Sequence, residues 1–74
     1  MLVVKSKDKE LVVACVGFYV LEPRSDYNRK WSIQGIMATT GKDVELGQYD
    51  EKKIYEVFDQ LHDALANKSS FNMP

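Results

Sequence analysis

Hydrophobic and polar positions follow two rhythms in this chain, and both are clearest between Val44 and Leu65. Val44 and Leu46 alternate with Asp43, Glu45 and Gly47, the period of two expected of a strand with one buried face. After Asp50 the rhythm changes: Ile54, Val57, Phe58, Leu61 and Leu65 recur at the i, i+3, i+4, i+7 spacing of one helical face. Asp50 is placed to cap that helix with its carboxylate, and Glu51 adds negative charge at the positive end of the helix dipole. The pattern therefore predicts a strand over Val44 to Tyr49 and a helix from Glu51 to Ala66, with Asn67 as a left-handed C-terminal residue.

The earlier pattern is β-rich. Leu2 to Lys5 reads as a strand ended by the polar turn Ser6-Lys7-Asp8-Lys9. Leu11 to Leu21 is too continuous and too rich in Val, Phe and Tyr for a surface helix, and Gly17 divides it into two short strands or one bent one. Pro23 stops the segment, Arg24 to Arg29 form a polar loop, and Trp31 to Ala38 is the next strand. Thr39 to Asp43 make a hairpin loop in which Gly41 is available for a positive φ.

These elements predict an α+β fold: an antiparallel meander of four to five strands, with one C-terminal amphipathic helix packed on one face. Residues 1–67 form the single domain and residues 68–74 a tail. The expected core is Ile33, Val44, Leu46, Ile54, Val57, Phe58, Leu61 and Leu65. The other sheet face is left to water or to a partner. The outer helix face is acidic through Glu56, Asp59 and Asp63, with Tyr55 and His62 at one edge of the apolar arc.

Length and composition narrow the classes. With 74 residues, the chain buries only about 60% of the surface its unfolded form exposes, and small scaffolds commonly add disulfides, a metal or self-association. Cys15 and His62 are the only residues of their types, which excludes an internal disulfide and a Cys/His zinc site. Self-association is the remaining route, so a homo-oligomer enters among the expected partners. Cys15 lies in the apolar run Leu11 to Val16, where a thiol behaves as a small buried hydrophobe. The N-terminal apolar run is too short for a signal peptide, and no run reaches the ~20 residues of a spanning helix. A cytoplasmic protein without a membrane partner is the expectation.

Charge adds little to this picture. The formal net charge is -1, with residues 1–30 at +2 and residues 50–74 at -2, well short of the basic excess of a typical nucleic-acid binder.

The chemical motifs are sparse. Gly35 to Lys42 lacks phosphate-loop spacing, since Asp43 stands where Ser or Thr would bind magnesium and a strand follows instead of a helix. Tyr55, Asp59 and His62 share a helix edge, but no further group converges there to orient a base. Asp43, Glu45, Asp50 and Glu51 are scattered and lack a calcium-loop pattern. No catalytic residue, metal site or cofactor is expected.

The one suggestive constellation is Arg24, Tyr27, Arg29, Lys30 and Trp31, which gathers cations and aromatics around one loop. Such side chains hold phosphates and stack bases, and they are also enriched at protein–protein hot spots. Trp31 can equally fill the core while the loop charges stay in water.

Longer stretches carry a resemblance. Val3-Val4-Lys5-Ser6-Lys7-Asp8 running into Leu11-Val12, Leu46-Gly47-Gln48-Tyr49 ahead of a helix with Glu56-Val57, and Phe71-Asn72-Met73-Pro74 resemble small proteins carried by phages, prophages and other mobile elements of Gram-positive bacteria. The resemblance covers nearly the whole chain. It implies an accessory protein in the cytoplasm of a host cell, acting by stoichiometric binding to host or defence proteins, often as an inhibitor. The functional expectation is thus a non-enzymatic binding protein, with a nucleotide or nucleic-acid module built on the Arg24 to Trp31 loop as the alternative.

Overall fold

The computed structural model describes residues 1–24 and 29–74. Along the chain lie β1 (Leu2–Lys5), β2 (Val12–Leu21), β3 (Trp31–Met37), β4 (Asp43–Tyr49), α1 (Glu51–Asn67) and β5 (Ser70–Asn72). They form one sheet in the order β4-β3-β2-β1-β5 with the helix packed on it, so the fold is α+β. The first four strands are the expected antiparallel meander, but β5 runs parallel to β1, which makes the sheet mixed.

The helix causes that difference. It begins at one sheet edge, directly after β4, and delivers the chain to the opposite edge. At about 1.5 Å per residue its 17 residues span roughly 25 Å, enough to cross five strands set about 4.8 Å apart. The segment expected as a tail then pairs with β1: Val3 N–H donates to Ser69 O at 3.1 Å and Met73 N–H to Lys5 O at 3.0 Å. Met73 is buried and Phe71 half-buried.

Asp50 caps α1 as expected, its carboxylate accepting from Lys53 N–H at 2.8 Å. At the other end Asn67 stays helical, with its side-chain amide donating to Asp63 Oδ1 at 3.0 Å. Lys68, in extended conformation, is the C-terminal cap in its place, because the chain must straighten directly into β5. Gly41 adopts φ 72° in the β3–β4 loop.

Strand register decides which side chains meet the helix. Leu2 lies opposite Cys15, Val4 opposite Val13 and Val20 opposite Ile33, all on the helix side. Of the two arrangements open at Gly17, two short strands or one bent one, β2 is the second, bent by a bulge at Val16. A second bulge, at Leu46, puts Gly47 opposite Ile33 and so on the helix side, where simple alternation had placed it with Asp43 and Glu45.

The core comprises Leu2, Val4, Cys15, Ile33, Leu46, Tyr49, Ile54, Val57, Leu61, Ala64 and Met73. Val44, Phe58 and Leu65, expected inside, are half-buried at its margin. The sheet curls enough for the turn after β1 to reach the free edge of β4, where Lys7 N–H donates to Leu46 O at 2.8 Å.

Candidate functional site

The loop constellation divides between two faces of the sheet. Trp31 opens β3 on the helix side, packing edge-on against Tyr55 with ring centroids 5.9 Å apart. Arg24 and Lys30 instead line a shallow cleft of about 210 Å³ on the opposite face, together with Glu22, Ser32, Glu45 and Gln48. Arg29 is exposed, and Tyr27 lies outside the described residues. A base held beside Arg24 could not stack on Trp31, and Glu22 and Glu45 offset the positive charge a phosphate would need.

The face away from the helix has two halves of different chemistry. Its upper half is polar and self-satisfied: Tyr19 Oη donates to Asp43 Oδ2 at 2.6 Å, Gln34 Nε2 to Ser32 Oγ at 3.1 Å and Gln48 Nε2 to Glu45 Oε1 at 3.3 Å. Accepting from the phenol, the Asp43 carboxylate pushes the Tyr19 pKa up. Ser32 and Gln34 are buried beneath this layer. Such a network has few groups left over for a partner.

The lower half, on β1 and β2, is apolar and open. Val3, Val12 and Val16 are 41%, 61% and 56% exposed, beside half-buried Ala14 and Ile36. The pairings Val3 with Ala14 and Gly17 with Ile36 hold these positions on one continuous surface, with Lys5 at its end. The sequence does carry a signal for it. Unbroken runs such as Leu11 to Val16 put apolar groups on both faces of a strand, and a single helix covers only one.

On the helix side, Gly17, Phe18, Phe58, Leu61, His62 and Leu65 line an apolar crevice of about 420 Å³ between α1 and β2. Cys15 is buried under the sheet, and burial pushes its thiol pKa up, which suppresses the reactive thiolate. Among the described residues no helix is long and apolar enough to cross a membrane. Comparison with protein-family models, curated proteins and solved structures returns no match.

Proposed function

We propose that this protein is a small non-enzymatic binding protein that attaches stoichiometrically to another protein through the apolar half of its open sheet face. The observation that carries this reading is the uncovered row Val3, Val12 and Val16 on a sheet whose other face is occupied by the helix. Contiguous exposed apolar surface of this kind marks interaction sites. Polar groups beside it, from Lys5 to the Tyr19–Asp43 pair, supply the rim that such interfaces use.

With the resemblance to mobile-element proteins, the partner is a host or defence protein in the host cytoplasm, and binding inhibits it. A second copy of the chain is the competing occupant of the same face. The alternative reading, a nucleotide or nucleic-acid module on the Arg24 to Trp31 loop, rests on the cations Arg24 and Lys30 alone and is weakened by Glu22 and Glu45 in the same cleft.

Affinity capture from host lysate, with wild type beside Val12→Asp and Val16→Asp, tests the first reading. It requires a defined protein retained by wild type and lost from both variants. Retention unchanged by both substitutions excludes this face. Light scattering identifies self-association if the same substitutions convert a dimer to a monomer. Phosphate contacts make binding fall steeply with salt, so absence of a gel shift at low salt removes nucleic acid, and a flat calorimetric titration removes nucleotides.

A further inference from the structure

The two neighbours of β2 do not cover the same length of it. β1 begins at Leu2, opposite Cys15, whereas β3 follows β2 as far as Leu21. From Gly17 onward β2 therefore has one paired edge and one free edge, although it lies inside the strand order. Backbone alternation decides which groups are left there. Ala38 N–H donates to Ala14 O and Met37 N–H to Lys42 O, so Ala38, Ile36, Gln34 and Ser32 turn their main chain toward β2. Gly17, Tyr19 and Leu21, paired with the last three, turn theirs toward β3, which leaves the N–H and C=O of Phe18 and Val20 pointing away from it. Among the described residues no strand pairs with them there.

The apolar crevice opens along this same edge. Gly17 and Phe18 form its β2 wall, and Phe58, Leu61, His62 and Leu65 form its α1 wall. The helix turns Leu61 into the core but leaves Phe58 and Leu65 half covered, and beside them the sheet ends at the free edge. An unpaired strand edge next to an apolar groove takes up extended peptides, with main-chain bonds giving affinity and pockets for alternate side chains giving specificity. We infer that this gap is a β-strand addition site, which a partner polypeptide fills with an extended segment in line with β1. The period of two sets the chemistry of that segment. Residues opposite Phe18 and Val20 bond to them through the main chain and carry their side chains on the helix side, where Phe18, Phe58 and Leu65 select aliphatic or aromatic groups. The residue between them lies beside Tyr19, whose hydroxyl is bonded to Asp43, and is polar. The occupant is thus a strand that reads apolar, polar, apolar, and its anchors do not use the open row of Val3, Val12 and Val16 on the other side of the sheet.

The test titrates the full isotope-labelled chain with a synthetic peptide that alternates valine or leucine with serine, lysine and glutamate, and follows amide shifts and hydrogen exchange. Saturable binding is expected, with the Phe18 and Val20 amides shifting and gaining protection. N-methylation of the peptide at its apolar positions removes the N–H groups that face β2 and should weaken affinity about tenfold or more. N-methylation at the polar positions, whose N–H groups point away, should not. Leu65→Glu should abolish binding, and Val12→Asp, on the open face, should leave it unaltered. The inference is overturned if binding does not saturate, if the two N-methylated peptides bind alike, or if the protection falls on other amides. Protection of Phe18 and Val20 in the free protein that grows with protein concentration overturns it as well, by giving the edge to a second copy. The pair of N-methylated peptides decides the matter even if Leu65→Glu fails to fold.

Discussion

The backbone N–H of Lys7 donates to the carbonyl oxygen of Leu46 at 2.8 Å, tying the turn after β1 to the outer edge of β4. In the flat order of the sheet β1 and β4 are separated by β3 and β2, so this bond is the mark of a curled sheet. The Lys7 side chain strengthens the same seam: Nζ donates to Gln48 O at 2.6 Å and stands 4.3 Å from the centre of the Tyr49 ring. A cation over an aromatic face is attractive, and the carbonyl of Gln48 gains a partner at an otherwise open edge.

Gly47 makes that approach possible, so Gly47→Ala should be costly. A Cβ there would lie 2.9 Å from Lys7 Cβ and 3.1 Å from Tyr49 Cε2. Neither atom is the far end of a flexible chain, so the seam must shift. A loss of about 1–3 kcal/mol in denaturant unfolding is expected, as for other overpacked sites. Lys7→Met, which keeps the stem and removes the charge, should cost less, and an unchanged midpoint for Gly47→Ala would mean that the seam is open in solution.

Leu61 and Leu65 give a second contrast. Both belong to the apolar face read from the sequence, yet Leu61 is 1% exposed and Leu65 is half-buried beside the crevice. Leu61→Ala should cost about 2–5 kcal/mol, the range for an emptied core leucine, and Leu65→Ala clearly less. Equal losses in thermal or urea unfolding would place Leu65 in the core and close the crevice.

Lys9 is the backbone exception. It sits at φ 67° in the β1–β2 turn, with its N–H donating to Ser6 O at 3.0 Å. The left-handed conformation costs a side-chain-bearing residue about 1–2 kcal/mol, part of which glycine gives back in unfolded-state entropy. Lys9→Gly should therefore stabilise by roughly 0.5–1 kcal/mol, read as a higher unfolding midpoint. A lower midpoint would show that the turn does not need this conformation.

What the sequence reveals of this fold follows from how often each pattern repeats. From Asp50 to Leu65 several helical turns repeat one face, and the N-terminal cap and Ile54, Val57 and Leu61 of the buried row were legible there, whereas Ala64 was too small to register in the pattern and Phe58 and Leu65 fall at its margin. β5 is hidden because a three-residue strand offers only Phe71 between polar neighbours, and its pairing with β1 depends on where the helix ends. Trp31 is a harder case. Its identity suggested a role with Arg24 and Lys30, but which face a strand's first residue takes depends on register with β4, and the bulge at Leu46 lies in that pairing.

Tyr49 supplies a pH test of the seam. Burial pushes its phenol up to about 12 from the ordinary 10, and its hydroxyl donates to Pro74 O at 2.8 Å. The folded state thus holds the phenolic proton at a pH where the unfolded chain has released it. Stability from this group is fully present below pH 10 and falls as pH rises from 10 through about 12. Urea midpoints measured across that window should decline for wild type. Tyr49→Phe loses the bond to Pro74, at about 1 kcal/mol near neutrality, and should flatten the alkaline decline. Tyr19 is raised as well, by its bond to Asp43, so Tyr19→Phe is the control and should retain most of the decline. If Tyr49→Phe declines as steeply as wild type while Tyr19→Phe does not, the alkaline transition belongs to the open face and the seam phenol is not what holds it.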